Sequence, residues 1–234
     1  MNKLIIANWK TYLKASEAVN LATHILALDN IIIAPSIAHL ALVREHVPNL
    51  NLAAQDVSSV AGEYGAYTGE LLAIMLVDMG VQYAIIGHSE RRSSELDSRD
   101  AIAEKVRNAL AAGITPIICV GEIKEERESG KYLEIIADQL LHLDLKTDAE
   151  VVIAYEPTWS VGTGFLPSSD EISEIMRLIR STLRIAGKLI LVYGGSVSAK
   201  NAKDIVNIPG VDGVLIGKAS TDAVQFKEIM RQIC

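Results

Sequence analysis

The sequence has 234 residues, 50% hydrophobic and 22% charged, with a formal net charge of −7. That is ordinary globular composition, and the acidic balance, with no basic run, excludes a nucleic-acid surface. The longest apolar run, "LLAIMLV" at 71–77, is far short of the roughly 20 residues that a bilayer span requires. The opening "MNKLIIANWK" is too short an apolar run for a signal peptide and is broken by Asn8 and Lys10. Cys119 lies inside an apolar run, where core packing is its expected role, and Cys234 is terminal, so no disulfide or zinc framework is expected. A soluble cytoplasmic protein, with no metal or cofactor and no nucleic-acid or membrane partner, is the expectation.

Along the chain, short apolar runs recur: "LIIAN" (4–8), "NIIIAP" (30–35), "LNLAAQ" (50–55) and "QYAIIGHS" (82–89). They continue as "TPIICVGE" (115–122), "VVIAYEP" (151–157), "KLILVYGGS" (188–196) and "DGVLIGKAS" (212–220). Each is nearly continuous and often β-branched, the pattern of strands buried on both faces in a parallel sheet. Helical patterns lie between them. "SRDAIAEKVRNALAAG" puts Ile102, Val106 and Leu110 on one stripe and ends at Gly113. In "SSDEISEIMRLIRSTLRIAGK", Ser168 or Ser169 can cap, Asp170 and Glu171 suit the first turn, and Gly187 suits the stop. Its Ile172, Ile175, Met176, Ile179 and Leu183 share one face. No linker or shift in composition divides the chain, so residues 1–234 read as one domain. Eight strands alternating with about eight helices fit a (β/α)8 barrel or an open doubly wound sheet. The runs end, at their carboxyl side, in polar or glycine residues: Asn8 and Lys10, Gln55, His88 to Glu90, Glu122, Glu156, Gly194 to Ser196, Gly217. A barrel gathers such ends at one mouth, where chemistry sits, and is the better reading.

Glu156 ends a buried strand, where an isolated glutamate would ordinarily be an ion-paired or capping residue. The adjoining segment, "PTWSVGTGF", has the make-up of a lid: Pro157 and Trp159 stiffen its root, while Gly162 and Gly164 free its tip. A lid that expels water over a carboxylate makes it a stronger base. His88 precedes a candidate helical turn near Ser89, whose dipole favours a neutral imidazole able to donate to a carbonyl oxygen. Glu90, Arg91 and Arg92 are either a salt-bridged surface cluster or support for the mouth. Asn8 and Lys10 point the same way on an extended chain, and Lys10 can place positive charge where an anion binds. The turns "YGGS" and "LIGKAS" match the phosphate site that barrels build after strands seven and eight. His24, His39, His46 and His142 have no acidic or cysteine partner at ligand spacing and no metal motif appears. A base, a neutral electrophile, a cation, a phosphate nest and a lid together suit proton abstraction beside the carbonyl of a small phosphorylated sugar.

The motifs "ANWK", "GHSERR", "CVGE", "YEPTWSVGTG", "YGGSV" and "GVLIGKAS" resemble, in order and spacing over nearly the whole chain, those of the triosephosphate isomerase family. Its glutamate base and neutral histidine are established roles, carried over here by position rather than derived. The resemblance implies that Glu156 moves a proton between the two carbons of the triose through an enediolate, while His88 polarises the carbonyl and helps shuttle protons between the oxygens. Lys10 would hold the phosphate and stabilise developing charge, with Asn8 orienting nearby oxygens. Backbone N–H groups at Gly162, Ser196, Gly217 and Lys218 would bind phosphate, Glu90 would support the site, and Val161 and Leu215 would press on the carboxylate. "GEYGAYTGE" (62–70) is similar to the family's interdigitating loop, which implies a homodimer joined through the tip around Tyr67 and Thr68.

Several positions depart from the family's pattern. Lys218 replaces a usual glycine, which is harmless if its φ is negative and weakens phosphate binding if the turn needs φ > 0. Phe165-Leu166-Pro167 forms an altered trailing hinge. Val161 replaces isoleucine, a methylene worth about 0.8 kcal/mol. Asp56 stands where asparagine is frequent, and the connections around 24–30 and 143–150 are short. A pentulose-phosphate epimerase would want metal-binding His and Asp at strand ends, where only His88 is offered. A non-catalytic barrel would be free to lose Glu156, His88 or Lys10, and all three are present.

Overall fold

Eight parallel strands close on themselves in the order β1 to β8. The structure, a computed structural model, describes residues 2–25, 29–160 and 164–233. The strands are β1 (Leu4–Asn8), β2 (Ile31–Ala34), β3 (Asn51–Ala54), β4 (Tyr83–Ile86), β5 (Thr115–Val120), β6 (Val151–Tyr155), β7 (Leu189–Tyr193) and β8 (Gly213–Ile216). Every one lies within a run that the apolar pattern marks as a strand. Closure is made by β1 against β8, with Leu4 opposite Gly213 and Ile6 opposite Leu215. The barrel, not the open sheet, is therefore the fold.

Period-two alternation sorts the side chains into two layers. Ile6, Ile32, Ala53, Ile85, Ile117, Val152, Val192 and Leu215 fill the barrel interior. Their neighbours, such as Ile5, Ile33, Leu52, Ile86, Ile153 and Leu191, face the surrounding helices. This double burial is why the runs are apolar without interruption.

The helices of the outer ring are α1 (Ala15–Thr23), α2 (Ile37–His46), α3 (Ala73–Asp78), α4 (Ser89–Ser93) and α5 (Arg99–Ala111). They continue with α6 (Lys124–Glu128), α7 (Tyr132–His142), α8 (Ser169–Thr182), α9 (Ala202–Val206) and α10 (Ala223–Ile233). The described residues thus hold ten helices where about eight were expected, because the connections after β4 and β5 each carry an extra short helix, α4 and α6. A single 3-10 turn, Lys218–Thr221, follows β8. In α8 the cap is Ser168, whose hydroxyl accepts from the Glu171 N–H while the Glu171 carboxylate accepts from the Ser168 N–H. Its apolar stripe is buried as the spacing requires. The helix stops at Thr182, however, not near Gly187. Gly187 serves a different purpose, since a Cβ there would lie 2.0 Å from the Ala149 carbonyl oxygen. In α5, Ile102 and Val106 are buried and the chain leaves through Gly113 at φ +79°, as expected. No helix among the described residues is long and apolar enough to cross a membrane.

Candidate active site

The parity that fills the barrel also aims the site. Val152 and Ala154 point inward from β6, and Glu156 continues the same row just beyond the strand. Its backbone is fixed by the Glu156 N–H donating to the Val120 carbonyl at 2.8 Å. The side chain is 2% exposed. One carboxylate oxygen, Oε2, accepts from the Ser89 N–H at 3.0 Å. The other, Oε1, lies 3.3 Å from His88 Nε2 yet makes no hydrogen bond. A buried carboxylate oxygen without a partner is costly to maintain. It leaves a lone pair free to accept a proton.

His88 reaches the mouth by a different route. Ile85 faces inward, so strict alternation would turn residue 87 inward and residue 88 away. Gly87 breaks that parity at φ +70°, a conformation that favours glycine. His88 then becomes the N-cap of α4, its Nδ1 accepting from the Glu90 N–H at 3.2 Å. With Nδ1 an acceptor, the proton of the neutral ring belongs on Nε2, the nitrogen facing Glu156.

Lys10 follows the inward row of Ile6 and Asn8, with its backbone at φ +49°. Two contacts hold it there: the Lys10 N–H donates to Asn8 Oδ1 at 3.0 Å, and Gln55 Nε2 donates to the Lys10 carbonyl at 2.8 Å. Lys10 Nζ pairs with Glu90 Oε1 at 2.6 Å. Glu90 therefore touches both Lys10, through its side chain, and His88, through its backbone. Gly217 supplies the other wall, where a Cβ would come 3.4 Å from Lys10 Cε. A cleft of about 450 Å³ opens here, lined by Lys10, His88, Ser196, Leu215, Gly217 and Lys218 among others, with no carboxylate in its walls. Lys218 is not among the described residues at positive φ, so its turn carries no strain from the replacement of glycine.

The root of the candidate lid is anchored by Glu122, fully buried at the end of β5. Trp159 Nε1 donates to Glu122 Oε1 at 3.0 Å, and the Tyr155 hydroxyl donates to the same oxygen at 3.1 Å. Burial pushes the Glu122 carboxyl above its ordinary range, against these two bonds, and pushes the Tyr155 hydroxyl up as well. On the far side of the lid, the Gly164 N–H donates to Ser196 Oγ at 3.2 Å, and Ser160 Oγ donates to the Phe165 carbonyl at 2.6 Å. Val161 and Gly162 lie outside the described residues, as does Cys234.

Glu156, His88, Lys10, Asn8, Glu90, Ser196, Leu215, Gly217 and Lys218 thus meet at one mouth. Sequence reasoning passes over Ser89, whose N–H holds the carboxylate, and treats Gln55 only as a polar strand end. Neither backbone donation nor a contact across the barrel leaves a mark in a residue pattern. Cys119 is buried in the barrel interior, and burial pushes its thiol well up, with Glu156 adding to the effect. His142, which has no role in the sequence pattern, meets Asp100 at 2.8 Å on the surface. Among the described residues no group of three or more His, Cys, Asp or Glu is placed to hold a metal.

A closed parallel barrel with a buried carboxylate facing an imidazole at the carboxyl ends of its strands is a (β/α)8 protein equipped for acid–base chemistry. Comparison narrows the class to one family. The profile described as triosephosphate isomerase matches residues 3–233. The triosephosphate isomerase of Francisella tularensis subsp. mediasiatica (strain FSC147) is 40% identical over 248 residues, covering 99% of this chain and 97% of the relative. That of Orientia tsutsugamushi (strain Ikeda) is 39% identical over 252 residues, covering 100% of this chain and 98% of the relative. The chain belongs to the triosephosphate isomerase family.

Proposed function

We propose a division of labour in this chain for the family's reaction, the interconversion of dihydroxyacetone phosphate and D-glyceraldehyde 3-phosphate. Glu156 is the base. It takes a proton from the carbon next to the carbonyl and returns it to the neighbouring carbon, so no proton need be supplied from elsewhere. His88 donates from Nε2 to the carbonyl oxygen as negative charge develops there, giving an enediolate held between the two side chains, and it takes back the hydroxyl proton of the neighbouring oxygen, so that the carbonyl and the hydroxyl exchange places. Lys10 stabilises that charge and reaches the phosphate, with Asn8 positioning its backbone. Glu90 orients Lys10 and His88. The backbone at Gly162, Ser196, Gly217 and Lys218 receives the phosphate, and Val161 and Leu215 close on the base. The observation that carries this reading is the Glu156 carboxylate itself: buried, held by one backbone donor, with its second oxygen bare beside His88.

The whole chain, residues 1–234, acts as one catalytic domain without cofactor, in the cytoplasm, in glycolysis and gluconeogenesis. It works as a homodimer. Tyr64 and Tyr67 are 63% and 42% exposed on the loop around Thr68, an unfavourable position for aromatic rings in an isolated subunit. A cleft of about 580 Å³ lies open beside Lys10, lined by Ile37, Gln55, Asp56, Glu90 and Leu96 among others, and its position supports a seat for the tip of that loop from a second copy.

The test is isomerisation of glyceraldehyde 3-phosphate by the purified protein, read through coupled NADH oxidation, with Glu156→Gln and Glu156→Asp alongside. Turnover should fall by several orders of magnitude in the first. It should fall at least about 10²-fold in the second, where the carboxylate retreats by one C–C bond. Full activity in either would remove Glu156 from the role of base. Sedimentation of the parent protein as a monomer at assay concentration would remove the dimer.

A further inference from the structure

The cleft that receives the phosphate carries an electrostatic imbalance. Lys10 Nζ is already paired with Glu90 at 2.6 Å, so the two together bring almost no net charge to the site. A phosphate monoester arrives with about −1.5 to −2 near neutral pH. Lys218 lines the same cleft and makes no ion pair among the described residues. Its ammonium stands 6.0 Å from the centroid of the Tyr12 ring, which is itself at the rim of the cleft. The aromatic face steers the cation without neutralising it.

We propose that Lys218 is a specificity-determining residue for the phosphate, its side chain supplying the uncompensated positive charge of the cleft, with Tyr12 holding it at the rim. This rests on the site assigned under Proposed function and goes beyond the backbone N–H that the same residue offers. Lys10, by contrast, lies deeper, against Gly217. The two lysines divide the work by depth, Lys10 serving the reacting atoms and the near side of the phosphate, Lys218 its outer oxygens. Because Lys218 is exposed, its contribution is screened by salt and appears in binding more than in turnover.

The experiment compares parent, Lys218→Met, Lys218→Arg and Lys218→Glu, all of which keep the backbone amide. The readouts are KM for glyceraldehyde 3-phosphate and the inhibition constant of inorganic phosphate, at low salt and at about 0.3 M NaCl. Lys218→Met should raise both constants about threefold to tenfold at low salt, the range for a charge pair that is partly shielded from water. Lys218→Glu should raise them further, and Lys218→Arg should stay near the parent. The gap should shrink at high salt. With unphosphorylated glyceraldehyde, which has no anion to hold, the loss in kcat/KM should be smaller by the same factor. Constants unchanged in Lys218→Met and Lys218→Glu would overturn the proposal. So would an equal rise in Lys218→Arg, or equal losses with both substrates, which would mark lost packing instead of lost charge. Calorimetric titration with inorganic phosphate reads the same residue without turnover, so an inactive parent would sink the isomerase reading while Lys218 is still tested.

Discussion

A single methyl group added at Gly194 tests whether the position of Glu156 matters as the geometry says. A Cβ built on Gly194 would lie 2.9 Å from Glu156 Cγ and 3.5 Å from its Oε1. Carbon atoms prefer about 3.5–4.0 Å, so the side chain must retreat by roughly 0.6–1 Å. It has little room to do so cheaply, being buried and tied to the Ser89 N–H. Gly194 is not at positive φ, so alanine brings no backbone strain of its own. A misplacement of about 1 Å in a catalytic group can cost 10²-fold, and Gly194→Ala should therefore lower kcat by roughly 10- to 100-fold. Stability should move far less. Overpacking costs about 1–3 kcal/mol and the stiffer unfolded chain returns about 0.4–1 kcal/mol, leaving a shift of a few degrees in Tm. The coupled isomerase assay and a thermal melt on the same preparation read both. A folded variant with turnover within twofold of the parent would refute the link between the Gly194 contact, the position of Glu156 and turnover.

Three further outcomes are expected. In ¹⁵N NMR at neutral pH, His88 should show its proton on Nε2 and a bare Nδ1, and the opposite tautomer would contradict the bond from the Glu90 N–H. Gln55→Leu should destabilise the fold by about 1–3 kcal/mol in urea titration, because Gln55 Nε2 donates to the carbonyls of both Lys10 and Ala34, and leucine leaves the Lys10 carbonyl unpaired while Ala34 keeps only the Trp9 N–H. The third concerns Asp56 and Asp97, which share Lys105 Nζ at 2.8 Å and 2.5 Å, with Arg91 bridging both carboxylates. Burial raises the Asp56 carboxyl above its ordinary range despite Lys105. The folded protein therefore takes up that proton more readily than the unfolded chain, and acidification towards about pH 4 stabilises it at this site. For Asp97, burial is outweighed by its bonds to Arg91 and Lys105, so its carboxyl is lowered. Its contribution is present above the unfolded carboxyl range and is lost as pH falls through the folded value. Asp56→Asn removes only the first effect, so its stability should fall more steeply than the parent's on acidification. Parallel pH profiles would show that Asp56 does not titrate as its burial implies.

The sequence by itself determined the barrel's strands, the place of Glu156 at a strand's carboxyl end, and the stripes of α5 and α8. All of these depend on local alternation between buried and exposed positions, which the order of residue types records directly. The resemblance to a family added roles for Glu156, His88 and Lys10 that no alternation carries. Two local predictions ran short, the end of α8 and the number of helices, because a stop and a short extra turn depend on what the neighbouring chain covers. Tertiary structure alone decided how the site is held. Ser89 and Glu156 are 67 residues apart and Lys10 and Glu90 are 80 apart, yet each pair meets within a hydrogen bond. Only closure of the barrel brings β1, β4 and β6 to one mouth. The same closure sets half-buried Asp56 beside buried Asp97 and leaves Lys218, in the cleft beside Leu215 and Gly217, with no ion pair among the described residues. Burial is written residue by residue along a strand. Pairing between charges depends on distances through space, which the chain sets only when it has folded.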